Sequence, residues 1–450
     1  MDAVAGFAMC TVIERRATGN GVRFSRSHDS YTGPKRYRNK GRLHTYNYVT
    51  KAADILEAAG LIRTEMGTWH LGFQSVAWAT DLLMLTVGSV LNPDELPAPD
   101  LNREVIILRD RQDKRQVDYT DTPWTEAMRE EVRKLNAELA KVELYQGSYR
   151  LDIPLLCRIF NGDFSRGGRW YCGGNSWQNM PKRARSQLTM SVNGRHQRVV
   201  EEDYFNLHIS MAYAESGREM PPGDQYDIRG FPRQLGKLGV NILFNAQTQN
   251  GAVLAIADEI HRSAELQQAC GASSHRGQCR KVAEGVVAAI LKKHRKIAGY
   301  FGSDCGARFQ RRDSVMALEV MKLMLKRTGR CPLPLHDSFL VPECDAKVLA
   351  DTMIEVALHH GLTTITLQTT NQTGHTAQFP QLQVLPHHSG PTHSLYLEDT
   401  SSELRQQRGG MGQEGSAECL WSPQCWPQDW GDLYEPVTPR HSGSCGGRDE

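Results

Sequence analysis

Residues 333–342, LPLHDSFLVP, place an ionisable His336 and a charged Asp337 in the middle of an otherwise apolar run. The simplest explanation is a tight turn in which the Asp hydrogen-bonds its own backbone. A carboxylate set among Leu335, Phe339 and Leu340 is nevertheless costly to bury without a partner. The stretch therefore raises the question of what meets it from elsewhere in the chain.

Working outward, 450 residues suffice for two or three domains, and 40% hydrophobic content suits a globular protein. No run approaches the roughly 20 apolar residues of a membrane-spanning helix. The opening MDAVAGFAMCTVIERR has too short an apolar patch, wrongly flanked, for a secretory signal. These features predict a cytoplasmic, intracellular protein with no membrane partner. Its eleven cysteines include no CxxC pair, which supports neither a disulfide framework nor a zinc finger. Cys270, His275 and Cys279 lie close together, as do Cys419 and Cys425, but neither group has zinc-site spacing.

The net charge of +2 conceals a clustered distribution. Arg15, Arg16, Arg23, Arg26, Lys35, Arg36, Arg38, Lys40 and Arg42 dominate a Gly- and Ser-containing segment, read as a basic flexible arm over 1–42 that contacts nucleic acid or is a solvated tail. Over 43–95, KAADILEAAGLI has helical apolar spacing with Gly60 just past it, and RTEMGTWHLG reads as a hairpin around Gly67. A helix followed by such a hairpin resembles a winged-helix module, which implies DNA binding through the helix. The plain alternative is a helical cap on the next domain.

Residues 96–153 read as a Pro-rich acidic linker over 96–101, a strand in REVIILRD, and a thumb-like amphipathic helix in TPWTEAMREEVRKLNAELAKVEL, ending before a turn at Gln146-Gly147. From 154 to 369 both periods alternate, with strands around 199–202 and 333–335 and helices around 233–260, 281–296 and 314–327. This pattern predicts an α/β (α+β) core. Residues 370–450, rich in Ser, Gly, Gln, Pro and His, read as a disordered tail.

Four stretches of this core fall into one order: GRWYCGGNSWQNMPKRAR from Gly168, VVEEDYFNLHISMAYAESG from Val199, FPRQLGKLGVNILFNAQ from Phe231, and the opening stretch. Together they resemble the palm and fingers motifs of family A DNA polymerases and the related single-subunit phage RNA polymerases. The resemblance implies a right-hand palm on an antiparallel sheet with helical fingers over 154–369. Asp203-Tyr204 resembles the Asp-Tyr that ends the first catalytic strand, although Asp203 taken alone reads better as a cap for the helix starting near Leu207. Asp337 resembles the aspartate of the last palm motif, in a β-turn-β hairpin that brings the two carboxylates together. The implied metal site is Asp203, Tyr204 and Asp337 with two Mg²⁺, or Mn²⁺, and His336 supports the primer end. The chemistry agrees, since phosphoryl transfer develops charge on the attacking and leaving oxygens, and two hard ions about 4 Å apart stabilise both.

In the third stretch Pro232 suits a first helical position, and Arg233, Lys237, Asn241 and Asn245 recur every four residues on one face. Any amphipathic helix can space cations so. Arg-x₃-Lys also resembles the fingers helix whose cations grip the nucleoside triphosphate, its Lys serving as general acid toward pyrophosphate. Gly236 and Gly239, each about 1 kcal/mol less favourable than Ala in a helix, imply close approach by another group. Arg169 and the segment Trp177-Gln178-Asn179-Met180-Pro181 resemble the part that holds the DNA primer-template, with Lys182, Arg183 and Arg185 as phosphate contacts. Gln310, placed in a strand or turn before a helix near Asp313, is assigned to the template.

Three positions depart from the family pattern. Asn245-Ala246 replaces an aromatic Tyr-Gly, His208 stands where a sugar-screening Glu is usual, and Ser338 follows the last Asp as in the phage RNA polymerases. The choice between deoxy- and ribonucleotides stays open on these residues. The expectation is a compact DNA-dependent DNA polymerase of a phage, plasmid or mobile element, without a proofreading domain and with low processivity. The alternatives are a single-subunit RNA polymerase or primase, and a catalytically silent DNA-binding protein.

Overall fold

An apolar stripe lies hidden under the N-terminal arginines. In the computed structural model, which describes residues 2–37, 45–68, 74–88, 103–151, 153–173, 176–370, 376–378 and 382–383, the chain opens with helix α1 (Asp2–Thr18). Strand β1 (Val22–Phe24), helix α2 (Tyr46–Ala58), strands β2 (Ile62–Glu65) and β3 (Ser75–Ala79), and a short α3 (Asp81–Leu83) follow. The three strands are antiparallel in the order β1-β3-β2. Ala8, Val12, Phe24, Ala53, Leu56, Ile62, Ala77 and Leu83 make a core of their own. The flexible arm expected over 1–42 is thus corrected for its described part. Its α1 buries Ala8 and Val12, while Arg15, in the last turn, donates to Ala79 O at 2.8 Å and to Asp81 at 2.5 Å. Gly60, at φ +68, ends α2, as the sequence predicted, with Leu61 N bonded back to Leu56 O at 2.9 Å. The hairpin tip and Arg38, Lys40 and Arg42 lie outside the described residues.

The second unit begins with β4 (Ile106–Arg109), α4 (Pro123–Leu139), the hairpin β5 (Leu144–Gln146) and β6 (Tyr149–Leu151), then β7 (Leu156–Asn161) and β8 (Asp163–Cys172). Thr122 and Thr125 cap α4 reciprocally, with Pro123 in its first turn. The helix expected in the linker and thumb-like segment over 96–153 is α4, and it packs into the main core. Met128, Val132, Leu135 and Leu139 are buried in the main core, and Asn136 exchanges two hydrogen bonds with the Leu156 backbone, at 2.8 and 2.9 Å. β4 also pairs in parallel with β7, which pairs antiparallel with β8. The acidic linker over 96–101 lies outside the described residues.

Next come α5 (Lys182–Arg185), β9 (Leu188–Val192), β10 (Arg195–Phe205), α6 (Leu207–Glu215), α7 (Arg233–Asn245), α8 (Gln249–Arg262), α9 (Ala264–Cys270), α10 (Arg276–Lys293) and α11 (Gly306–Thr328). The chain closes with β11 (Leu333–Leu335), β12 (Ser338–Pro342), α12 (Ala346–His359), β13 (Thr364–Thr370), β14 (Thr376–Gln378) and β15 (Leu382–Gln383). Asn193 and Gly194, at φ +52 and +73, form the two-residue turn that joins β9 to β10, a turn matched to strand twist. β10 is the axis of the sheet. Its first half pairs with β9, and its last residues lie between β12 and β13. Part of the predicted tail is ordered, since β14 and β15 both pair with β13. The architecture is mixed α/β, and no described helix is long and apolar enough to cross a membrane.

Candidate active site

β11 and β12 form a hairpin whose two-residue turn is His336-Asp337, with Leu335 opposite Ser338. His336 sits at φ +56, a region uncommon for a residue with a side chain and typical of constrained functional turns. The Trp177 indole and the Gln178 amide both donate to Pro334 O, at 2.8 and 2.9 Å, and so clamp the strand leading into the turn. β12 then lies antiparallel to β10 with Asp203 opposite Ser338, and Tyr204 N donates to Asp337 O at 3.1 Å. Asn206, left-handed at φ +61, turns the chain abruptly from β10 into α6 and leaves Asp203 near the strand end. Asp203 and Asp337, 134 positions apart in the chain, are therefore side by side across two strands.

The electrostatics follow from that pairing. Burial, then the like charges of Asp337 and Glu201, hold the Asp203 carboxyl well above the ordinary carboxylate range, against the opposing pull of Lys237 and Lys182. Glu201 is itself spent on Arg185, at 3.0 and 3.1 Å. Both aspartates remain half-buried. Two crowded, partly open carboxylates offer hard oxygen donors of the kind that suit a divalent ion such as Mg²⁺.

Helix α7 faces this pair. Arg233, Lys237 and Asn241 are exposed, while Leu235, Val240 and Leu243 on the other face are buried. The Tyr226 ring stands beneath the cations, its centroid 5.6 Å from the Arg233 guanidinium carbon and 6.0 Å from Lys237 Nζ. Burial first, then the charges of Asp337 and Asp203, raise its hydroxyl above the usual phenol range, so the ring beneath the cations also lies within the field of the two aspartates. Arg233 also pairs with Asp224. The close approach expected at Gly236 and Gly239 is real but internal. A Cβ on Gly236 would strike Tyr226 O, and one on Gly239 would lie 2.7 Å from Ile290 Cδ1. Asn245, expected on the nucleotide face, is half-buried. It donates to Asn241 O at 2.9 Å and packs on Gly306.

Several residues assigned to nucleic acid or nucleotide are engaged within the protein. Gly168, at φ +80, is the extra residue of a bulge between β7 and β8, where a Cβ would lie 2.5 Å from the Phe160 ring. The bulge precedes Arg169, which grips Asp313 at 2.5 and 2.9 Å. His208 Nε2 lies 2.9 Å from the same carboxylate. Despite burial, which opposes its charge, Asp313 stays below the ordinary range because Arg169 and His208 favour the carboxylate. Gln178 also donates to Trp170 O at 3.1 Å and accepts from Cys172 N at 3.0 Å. Asn179 is buried. Gln310 lies inside α11 rather than before it, half-buried on its first turns. The side chain of Tyr204 points away from Asp203 and donates to Met353 O at 2.6 Å, so its hydroxyl is engaged on the far side of the strand. His336 stands edge-on to Tyr171, with ring centroids 5.5 Å apart.

No local motif marks Tyr226 or Asp313 as part of the site. Asp313 meets Arg169 and His208 from 144 and 105 residues away, and the Tyr226 ring lies against Arg233 and Lys237, contacts that no short motif encodes. Cys279 donates to Ser273 O at 3.4 Å, and the Cys270, His275, Cys279 group is not assembled as a metal cluster among the described residues. Cys419 and Cys425 lie outside them. No family model matches the chain, and no curated protein matches it either.

Proposed function

We propose that the chain is a template-directed nucleotidyltransferase acting by two-metal-ion phosphoryl transfer, with a palm and fingers core of the family A polymerase kind. The observation that carries the reading is the meeting of Asp203 with Asp337 across β10 and β12, facing the Arg233 and Lys237 side of α7. Burial and then like-charge crowding raise the Asp203 carboxyl, and bound divalent cations would offset both, so the donor set fits Mg²⁺. Bound Mg²⁺ supplies charge stabilisation for the attacking 3′-oxygen and the leaving pyrophosphate. Asp203 and Asp337 would hold the ions. Arg233 and Lys237 would bind the triphosphate, and Lys237 would give a proton to pyrophosphate.

The N-terminal unit supports recruitment to DNA. Its order of helix, strand, helix and hairpin, with β3 central, resembles that of a winged helix. Asn47, Tyr48 and Lys51 on α2 are exposed, while Asp54 is neutralised by Arg26 at 2.7 Å. A ribonucleotide-using enzyme of the same mechanism is the second reading. It is favoured by the capture of His208 by Asp313, which leaves that ring no role in screening the sugar.

The test is primer extension on a labelled primer-template with Mg²⁺, run with deoxynucleotides, with ribonucleotides and with an Asp337→Ala variant. The expected result is extension by the parent and none by the variant, with the preferred nucleotide distinguishing the two readings. No extension by the parent under any condition, while it still binds duplex, would overturn the catalytic assignment in favour of a silent DNA-binding protein.

A further inference from the structure

We propose that Glu319, His359 and His360 form a binding site for a Zn²⁺-like transition-metal ion that staples α12 to α11. Glu319 projects from α11 toward the end of α12, where His359 is the last helical residue and His360 the cap. His359 Nδ1 lies 2.7 Å from Glu319 Oε1, and His360 Nε2 lies 3.0 Å from Oε2. All the ligand atoms fall within 4.8 Å of one another. Ligand atoms sharing a tetrahedral zinc at 2.0–2.1 Å are about 3.3 Å apart, so modest rotation of the rings admits an ion. Two imidazoles and a carboxylate are also the donors that first-row transition metals prefer over Mg²⁺ or Ca²⁺.

The surroundings favour metal over a merely hydrogen-bonded cluster. His359 is 71% exposed, which leaves a path for the ion and a water for the fourth position. The nearby Arg312 cation donates to the His360 carbonyl and is countered by Glu215 at 3.2 Å. The staple would act where α11 and α12 already meet through Arg327, which bonds Thr352 at 2.7 Å and Glu355 at 2.6 Å. α12 in turn receives the Tyr204 hydroxyl from β10 at Met353 O, so the ion would brace the back of the strand that carries Asp203. This inference does not depend on the proposed catalytic function.

The experiment uses the full chain without an affinity tag, titrated with Zn²⁺ against a chromophoric chelator and separately with Co²⁺ followed by visible absorption. The expected result is one equivalent of metal bound by nitrogen and oxygen, without the charge-transfer band of a cysteine site. Affinity should fall at least tenfold in H359A, E319Q and H360A, and the Zn²⁺-induced rise in thermal midpoint should vanish with it. H359A removes an exposed side chain, so its fold is retained and checked by circular dichroism. Metal stoichiometry and midpoint shift unchanged in H359A and E319Q, or no metal bound by the parent, would overturn the proposal.

Discussion

Glu202 immediately precedes Asp203 on β10, and its side chain lies on the opposite face of the strand, 2% exposed beneath β13. Thr369 Oγ1 donates to both of its carboxylate oxygens at 2.9 Å. Burial outweighs that bond and pushes the carboxyl up to about 7 from its ordinary 4.5. The folded value is the higher one, so the group takes up a proton on folding. Its contribution to stability is fully present below pH 4.5 and is lost as the pH rises through 7. With about 1.4 kcal/mol for each tenfold difference, the ionised group costs the folded state about 1 kcal/mol at pH 5 and about 3 kcal/mol at pH 8. Glu202→Gln keeps an acceptor for Thr369 and cannot ionise. Urea denaturation of parent and variant should show the variant's advantage growing by about 2 kcal/mol between pH 5 and pH 8. A difference that stays constant across that range would refute the reasoning, because it would mean that the carboxylate is solvated in the folded state.

Lys237→Ala should leave stability within about 0.5 kcal/mol, since the side chain is exposed. It should slow nucleotide addition by about 10²-fold or more, the scale of a lost general acid. Unchanged single-turnover extension would remove Lys237 from the site. Gly236→Ala drives a Cβ into Tyr226 O and should cost about 1–3 kcal/mol in urea unfolding. A neutral substitution would show that the 217–232 loop yields freely. Arg169→Gln leaves the fully buried Asp313 carboxylate with His208 alone, for an expected loss of about 3–5 kcal/mol. A loss below about 1 kcal/mol would mean that water reaches Asp313.

Elements that carry their own punctuation were legible in the sequence. The Thr-Pro start of α4, Gly60 after α2 and the short apolar runs of β11 and β12 needed no knowledge of partners. The Asn193-Gly194 turn was as plain a signal and would have exposed the β9–β10 hairpin. What local reading does not report is which face meets what. Arginines in the last turn of α1 concealed the stripe of Ala8 and Val12, and the parallel pairing of β4 with β7 joins segments about fifty residues apart.

The same limit divides the polar residues picked out by the motifs. Arg233 and Lys237 are exposed and Asp203 and Asp337 half-buried, whereas Arg169, Gln178 and His208 are consumed by partners up to 156 residues distant. These inward residues fix the outward ones. Gln178 and Trp177 hold Pro334, three residues before Asp337, and so set the height of its turn. Arg169 and His208 close on Asp313, which ties β8 and the first turn of α6 to α11 and fixes where β10 ends after Asp203. A motif read as one list of ligand contacts is therefore two layers in space. A substitution in the inner layer should disturb stability and catalysis together, while one in the outer layer should disturb catalysis alone.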